Sequence, residues 1–302
     1  MASDTYNSGS ANWNSGSFAG NVLFEVWGGG GSCGNNAHDK HAAGGGGGGA
    51  YSAKVVTVTA STDYAYSVGA GGPTPGTGGP TPGTDGGDSY WISATDVMAK
   101  GGSKGGAVDE VSNPGGAGGL AASGYGTVKF SGGSGGSGAV NGKSSSGGGG
   151  GSSAGSASNG NNGGNGGDTG AATAGGAAVT GGGAGGNSGT QVGPIDPQDG
   201  AAPGGGGGGL AHTCASGGSG GAGRCRVTYP APGRIPPKPR GSARHVALRH
   251  HGLDAGRIQG PVRTPRPHGD FVGQWHGHRR TRLASLGQLR RQPPQHGQDR
   301  KS

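Results

Sequence analysis

Four residues near the N-terminus have side chains that bind metals in many proteins. Cys33, His38, Asp39 and His41 fall within nine residues of one another, inside glycine-rich sequence. Thiolate and imidazole groups suit zinc or nickel, but this spacing matches no standard zinc finger. We therefore interpret the segment as a solvated loop, and we predict neither a metal site nor a cofactor.

The sequence offers no complete set of catalytic residues. Serine is abundant, but histidine is confined to the loop just described, to His212 and to the region after residue 230. A nucleophile, a base and a residue that orients the base cannot be assembled from that distribution. A phosphate-binding loop is also excluded, because Ser137 stands where the motif that ends in Gly142-Lys143-Ser144 requires its first glycine. The sequence predicts a protein that is not an enzyme.

Aromatic residues beside glycine-rich or polar segments are the best candidates for surface binding, because exposed aromatic faces bind sugars and protein partners. The other interpretation is that these rings form the sparse core of a β-framework. That interpretation is favoured for Trp27 and Tyr51, and both remain open for Trp91. The candidate surface-binding residues are Trp13, Tyr90, Trp91 and Tyr125.

These residues lie on short segments in which side chains alternate as they do in β-strands. Residues 21–27 place Val22, Phe24 and Val26 on one face. Residues 51–59 and 64–68 are separated by a turn at 60–63 and predict a hairpin. A polar edge strand is predicted within residues 4–20, a pair of short strands in 86–92 and 95–100, and a single short strand in 125–130. A last strand, residues 224–229, is predicted to close the domain against the first.

The composition does not allow a large apolar core. Only 28% of residues are hydrophobic, against about 45–50% in ordinary globular domains. The 82 glycines show no sustained Gly-X-Y period, which excludes a collagen triple helix. Each ordered glycine costs about 0.5–1 kcal/mol relative to alanine. The glycine runs are therefore either disordered, or ordered as a backbone lattice of extended helices with three residues per turn.

Charge divides the chain into two regions. Residues 1–229 carry a net charge of −4, whereas residues 230–302 carry +12. We therefore predict a mainly β domain over 1–229 with polyglycine-II-like excursions, followed by a basic tail over 230–302. That tail is either a genuine disordered segment or a reading frame translated out of register, and nucleic acid would bind only through it.

Cysteines and apolar segments give little further information. The three cysteines are odd in number and far apart, so free thiols are expected, although Cys214 and Cys225 could pair in an oxidising setting. No segment approaches the ~20 apolar residues of a membrane span. The N-terminus also lacks the basic start and apolar stretch of a signal peptide.

The order of the junctions between strands and glycine runs resembles a known family. The motifs are Val-Trp-Gly-Gly-Gly-Gly (26–31), Gly-Gly-Gly-Gly-Ala-Tyr-Ser-Ala-Lys (46–54), Tyr-Ser-Val-Gly-Ala-Gly-Gly (66–72), Gly-Gly-Asp-Ser-Tyr-Trp (86–91), Ala-Lys-Gly-Gly (99–102) and Gly-Arg-Cys-Arg-Val-Thr-Tyr (223–229). Together they resemble the glycine-rich domain of bacteriophage tail and tail-fibre proteins and of some bacterial surface proteins. Residues 230–302 have no counterpart in that pattern.

The resemblance implies a structural protein of the virion tail that supports assembly or attachment to a host surface. Its implied partners are a host cell-surface receptor or other tail proteins, and a homo-oligomer is possible. The alternatives are an extracellular or cell-surface glycine-rich structural protein and a basic-tailed protein that binds nucleic acid.

Overall fold

The computed structural model describes residues 1–35, 41–75, 81–106, 113–140, 145–191, 195–211 and 216–231. These residues form two antiparallel sheets joined to a bundle of extended glycine segments, which confirms the mainly β prediction. Within those ranges no helix is long and apolar enough to cross a membrane. The predicted basic tail lies outside the described residues from position 232 onward.

The strands are short, and most of them begin or end at a glycine run. A single turn of 3-10 helix, Ala121–Ser123, precedes the eighth strand. In chain order the strands are β1 (Ala2–Tyr6), β2 (Ser10–Asn14), β3 (Gly20–Trp27), β4 (Tyr51–Val58), β5 (Asp63–Ser67), β6 (Ser89–Trp91), β7 (Val97–Ala99), β8 (Val128–Phe130) and β9 (Arg224–Tyr229).

The first sheet has the strand order β1-β9-β3-β4-β8, and the second has β2-β5-β6-β7. The last strand pairs with the first long strand in the register Trp27↔Arg224 and Leu23↔Thr228, as predicted for the closure of the domain. The two short strands predicted after residue 86 are present as β6 and β7, and they pair with Tyr90 opposite Met98.

The two sheets pack face to face over one apolar core. Alternation along β3 directs Val22, Phe24 and Val26 into this core, where they meet Trp91 and Trp13 from the second sheet. The opposite face of β3 contributes Leu23 and Trp27 to a smaller cluster. Side chains on both faces of β3 are therefore buried, which explains why this strand has so few exposed positions.

The predicted hairpin between residues 51–59 and 64–68 is wrong. β4 pairs with β3 and β8 in the first sheet, whereas β5 pairs with β2 and β6 in the second. The hydroxyl of Ser15 donates to the carbonyl of Thr59 at 2.6 Å and accepts from the N–H of Thr62 at 3.1 Å. This contact holds the connection against the end of β2, so that the chain crosses between sheets instead of turning back on β4.

The glycine runs form a lattice of helices with three residues per turn, which is one of the two outcomes that the sequence left open. In residues 28–35, every third N–H donates to the same neighbouring segment, and successive residues donate to different neighbours. A period of three with no bonds inside the segment is the polyproline II geometry. The acceptors of these bonds lie in residues 44–50, 81–87 and 218–221.

Residues 42–50 form the central helix of this lattice. They donate hydrogen bonds to three segments and accept hydrogen bonds from three others, so six helices surround them. The segments that accept are 100–103, 133–139 and 204–210, and the segments that donate are 28–34, 116–119 and 148–154. Hexagonal packing of this kind replaces an apolar core with backbone hydrogen bonds.

Close backbone approach explains why residues 44–49 of the central helix are all glycine. A Cβ atom on Gly47 would lie 2.1 Å from the carbonyl oxygen of Ala117, and one on Gly46 would lie 2.0 Å from that of Gly31. Real carbon atoms do not approach an oxygen so closely, and the oxygens belong to backbone that is itself hydrogen-bonded. Side chains at these positions would separate the helices.

Candidate functional site

Two of the predicted surface-binding residues are buried. Trp91 is 0% exposed and Trp13 is 6% exposed. Trp91 stacks on Phe24 with ring centroids 4.5 Å apart, and its Nε1–H donates to the carbonyl of Glu25 at 3.3 Å. The expectation of an exposed ring is wrong for Trp13, and of the two interpretations left open for Trp91 the core interpretation holds, because the two sheets pack together over these rings.

The other two predicted surface-binding residues are more accessible. Tyr125 is 46% exposed, and Tyr90 is partly exposed on β6. The backbone of Tyr125 forms a bridge with Met98, which lies opposite Tyr90 in the sheet. A binding role for this pair remains a prediction.

Trp27 and Tyr51, the predicted framework residues, are both buried where the first sheet meets the lattice. Their ring centroids are 4.9 Å apart. The guanidinium carbon of Arg226 lies 5.4 Å from the centre of the Trp27 ring, within cation–π range. A Cβ on Gly181 would lie 3.7 Å from Cζ2 of Trp27, so the turn at Gly181 lies beside the indole.

A buried carboxylate connects these groups. Glu25 is 3% exposed and accepts two hydrogen bonds of 2.7 Å from Arg226 and one of 2.9 Å from the Tyr51 hydroxyl. Burial and the nearby Glu25 charge raise the pKa of Tyr51, so its hydroxyl stays protonated as a donor. The hydrogen bonds that Arg226 donates to Glu25 raise the pKa of Arg226. The network has the properties of a structural ion pair.

The structure describes only some of the cysteines and possible metal ligands that the sequence analysis considers. Cys33 and Cys225 are free, buried thiols, and burial raises the pKa of each to about 12. His38, Asp39 and Cys214 lie outside the described residues. Among the residues that are described, no three histidine, cysteine or acidic side chains are close enough to hold a metal ion.

A groove of about 420 Å³ opens at the end of the first sheet that is remote from the lattice. Asp4 lies in it, and one oxygen of its carboxylate, Oδ2, accepts hydrogen bonds from Trp13 Nε1 at 3.0 Å and from the Tyr229 hydroxyl at 3.1 Å. Partial burial and this bond to Asp4 raise the pKa of Tyr229. Sequence reasoning missed this site. The lining residues are Asp4, Trp13, Asn14, Ser15, Gly16, Ser17, Phe18, Tyr229 and Pro230.

Asparagine side chains cover one edge of the lattice. The Oδ1 atoms of Asn159, Asn162 and Asn165 accept from the N–H groups of Ser131, Ser134 and Ser137 at 2.9–3.0 Å. The residue after each asparagine donates its N–H to the carbonyl of the same serine. Because these asparagines recur at every third residue of a helix with three residues per turn, their side chains all lie on the same side of it. They occupy the position that a further glycine helix would otherwise take.

The end of the lattice that is remote from the sheets collects the ends of many glycine segments. Bonds at this end join Asn35 to Thr81, Gly106 to Pro114, Ala139 to Ser146, Ala43 to Leu210, and Cys33 to Gly218. Each of these residues lies near a gap in the described ranges. Several of the connections between glycine helices therefore start and end at one face of the bundle, which we call the loop end.

A β-framework that continues into a hydrogen-bonded glycine lattice defines a glycine-rich domain. A family model described as a glycine-rich domain matches residues 5–230, which is most of the chain. The chain therefore belongs to this glycine-rich domain family. A comparison with curated proteins found no match.

Proposed function

We propose that the protein is a structural component of a bacteriophage tail or tail fibre that supports particle assembly or attachment to a host surface. The observation that carries the proposal is the central helix, residues 42–50, enclosed by six hydrogen-bonded neighbours. A lattice of this kind gives stiffness through backbone bonds, and a tail fibre needs stiffness to transmit a contact at its end. The order of the strand-to-glycine junctions adds support.

The division of the domain into two ends also supports this proposal. The sheets fix the helices at one end, while several of the connections between helices start and end at the loop end. Connections between rigid elements generally tolerate sequence change better than the elements themselves. A rigid scaffold with several connections on one face suits a protein that must recognise other surfaces.

Purified phage particles provide the test, and the full-length protein should be detected in them by mass spectrometry and by immunogold labelling at the tail. The gene should also lie within a tail cluster. Absence of the protein from particles, combined with a gene outside any tail cluster, would contradict the proposal. Labelling at the bacterial envelope instead would favour the surface-protein alternative.

A further inference from the structure

We infer that the groove around Asp4 binds an amino sugar through its protonated amine. The inference deepens the proposed attachment role, and the biological source of such a ligand, a glycan on the host surface, rests on that role. The preference for an amine comes from the geometry of Asp4, Trp13, Phe18 and Tyr229 alone.

The acceptor oxygens in the groove favour a ligand group that only donates hydrogen bonds. Both donors to the Asp4 carboxylate, the Trp13 indole and the Tyr229 hydroxyl, are neutral, and both bind its Oδ2. The second carboxylate oxygen remains as an acceptor. Because the Tyr229 hydroxyl donates its proton to Asp4, its oxygen is also an acceptor for a ligand. An ammonium group has three donors and no acceptor, and it matches these oxygens.

The charge of Asp4 favours a cation over a neutral donor. Within the described ranges, no lysine, arginine or histidine nitrogen lies within 4.0 Å of this carboxylate. Asp4 is partly buried between aromatic side chains, so its charge is less solvated than that of a surface aspartate. Aromatic walls further favour an ammonium ion, because their π faces attract cations.

The size and rim of the groove favour a sugar over an extended peptide. A volume of about 420 Å³ is within the range of small-molecule sites. Phe18 and Tyr229, with ring centroids 6.2 Å apart, supply apolar surface for the body of a sugar ring. The hydroxyl of Ser17 on the rim is exposed and can bond with sugar hydroxyls.

The test uses the full-length protein and follows the indole N–H resonance of Trp13 by NMR during titration with glucosamine. Glucose and N-acetylglucosamine are matched probes that lack the protonated amine. We expect a saturable shift with glucosamine and none with either neutral sugar. Nα-acetyl-lysine amide supplies the same ammonium on a peptide-like chain and should bind more weakly than glucosamine.

Asp4→Asn removes the charge but keeps an acceptor for Trp13 and Tyr229. It should weaken glucosamine binding by about tenfold or more, with an unchanged urea midpoint. Asp196→Asn makes the same change at an exposed position and should bind like the parent protein. Tyr229→Phe should also weaken binding, since it removes one acceptor while keeping the ring.

Several results would overturn the inference. These are equal shifts with glucosamine and glucose, no saturable shift with glucosamine, or unchanged affinity in Asp4→Asn. Tighter binding of the lysine amide would assign the groove to a peptide. None of these results depends on particle composition, so failure here is distinguishable from absence of the protein in purified phage.

Discussion

Glu25 and Arg226, 201 positions apart in the chain, form a two-bond ion pair at the junction of the sheet and the lattice. Nε donates to Oε2 and Nη2 donates to Oε1, each at 2.7 Å. Their strands place them directly opposite one another. The carboxylate has only 4% of its side-chain surface exposed, whereas the arginine has 38%. The arginine therefore shields the carboxylate from water and also neutralises it.

Arg226→Ala should destabilise the protein by about 3 kcal/mol, because it leaves a buried carboxylate without its cation. This value is at the lower end of the usual range because the arginine is partly exposed. Urea unfolding measures the change. The matched control is Lys100→Ala, which breaks the exposed pair with Asp88 and should cost less than about 1 kcal/mol. Equal losses in the two variants would refute a structural role for the buried pair.

Trp27→Ala should remove about 3–5 kcal/mol of stability, because it leaves a cavity between Tyr51, Arg226 and the turn at Gly181. Thermal melting and limited proteolysis would detect the loosened junction. Tyr125→Ala changes an exposed aromatic residue and should stay within about 0.5 kcal/mol of the parent protein. A Trp27→Ala protein with parental melting and protease resistance would show that the indole does not hold the junction.

The strands and their faces could be predicted from the sequence because alternation is a local property. Val22, Phe24 and Val26 were expected on one face of β3, and they lie together in the core. The partner of a strand is not a local property. The connection between β4 and β5 is fixed by Ser15, which directly follows β2, and no residue within the connection reveals that contact.

A glycine lattice could be predicted from the sequence as one of two outcomes. Which glycine helices are neighbours in that lattice could not be predicted. Identical glycines carry no side chain that distinguishes one neighbouring helix from another. The informative residues lie at the edges, where Asn159, Asn162 and Asn165 recur every third position opposite Ser131, Ser134 and Ser137. This period is visible in the sequence, and it could have identified the covered edge.

The aromatic residues show that the sequence around a residue does not reveal whether its side chain is exposed. Trp13 and Trp91 adjoin polar or glycine-rich sequence, yet both are buried because their sheet packs against the first sheet. The groove combines Asp4 with Tyr229, which are 225 positions apart. Only the pairing of β1 with β9, in which Asp4 lies opposite Val227, brings these two residues together.

Two glycine substitutions test whether stability depends on close packing within the lattice or only on the number of glycines. Gly47→Ala would place a Cβ 2.1 Å from a backbone oxygen, whereas Gly167→Ala would meet nothing within 4 Å. The first should cost about 3 kcal/mol or more through overpacking. The second should be neutral, or stabilising by about 0.4–1 kcal/mol through the unfolded chain. Similar unfolding midpoints for both variants would contradict close packing around Gly47.

The buried thiols predict a dependence on pH. Because burial raises the pKa of Cys33 and Cys225 from 9.0 to about 12, their thiolates form first in the unfolded chain. The stability contributed by the protonated thiols is complete below about pH 9 and is lost as pH rises towards 12. At pH 8, iodoacetamide should label both cysteines only after denaturation, as mass spectrometry of their peptides would show. Rapid labelling of native Cys33 would contradict its burial.

Amide hydrogen exchange measured by NMR tests the lattice most directly. The N–H groups of Gly46, Gly47 and Gly48 donate to three different neighbouring segments, so all three should exchange as slowly as the amides of Phe24 and Val26 in β3. Ser17, on an exposed turn, provides the fast reference. Slow exchange of the central glycines would establish an ordered scaffold, whereas exchange at the rate of Ser17 would contradict it.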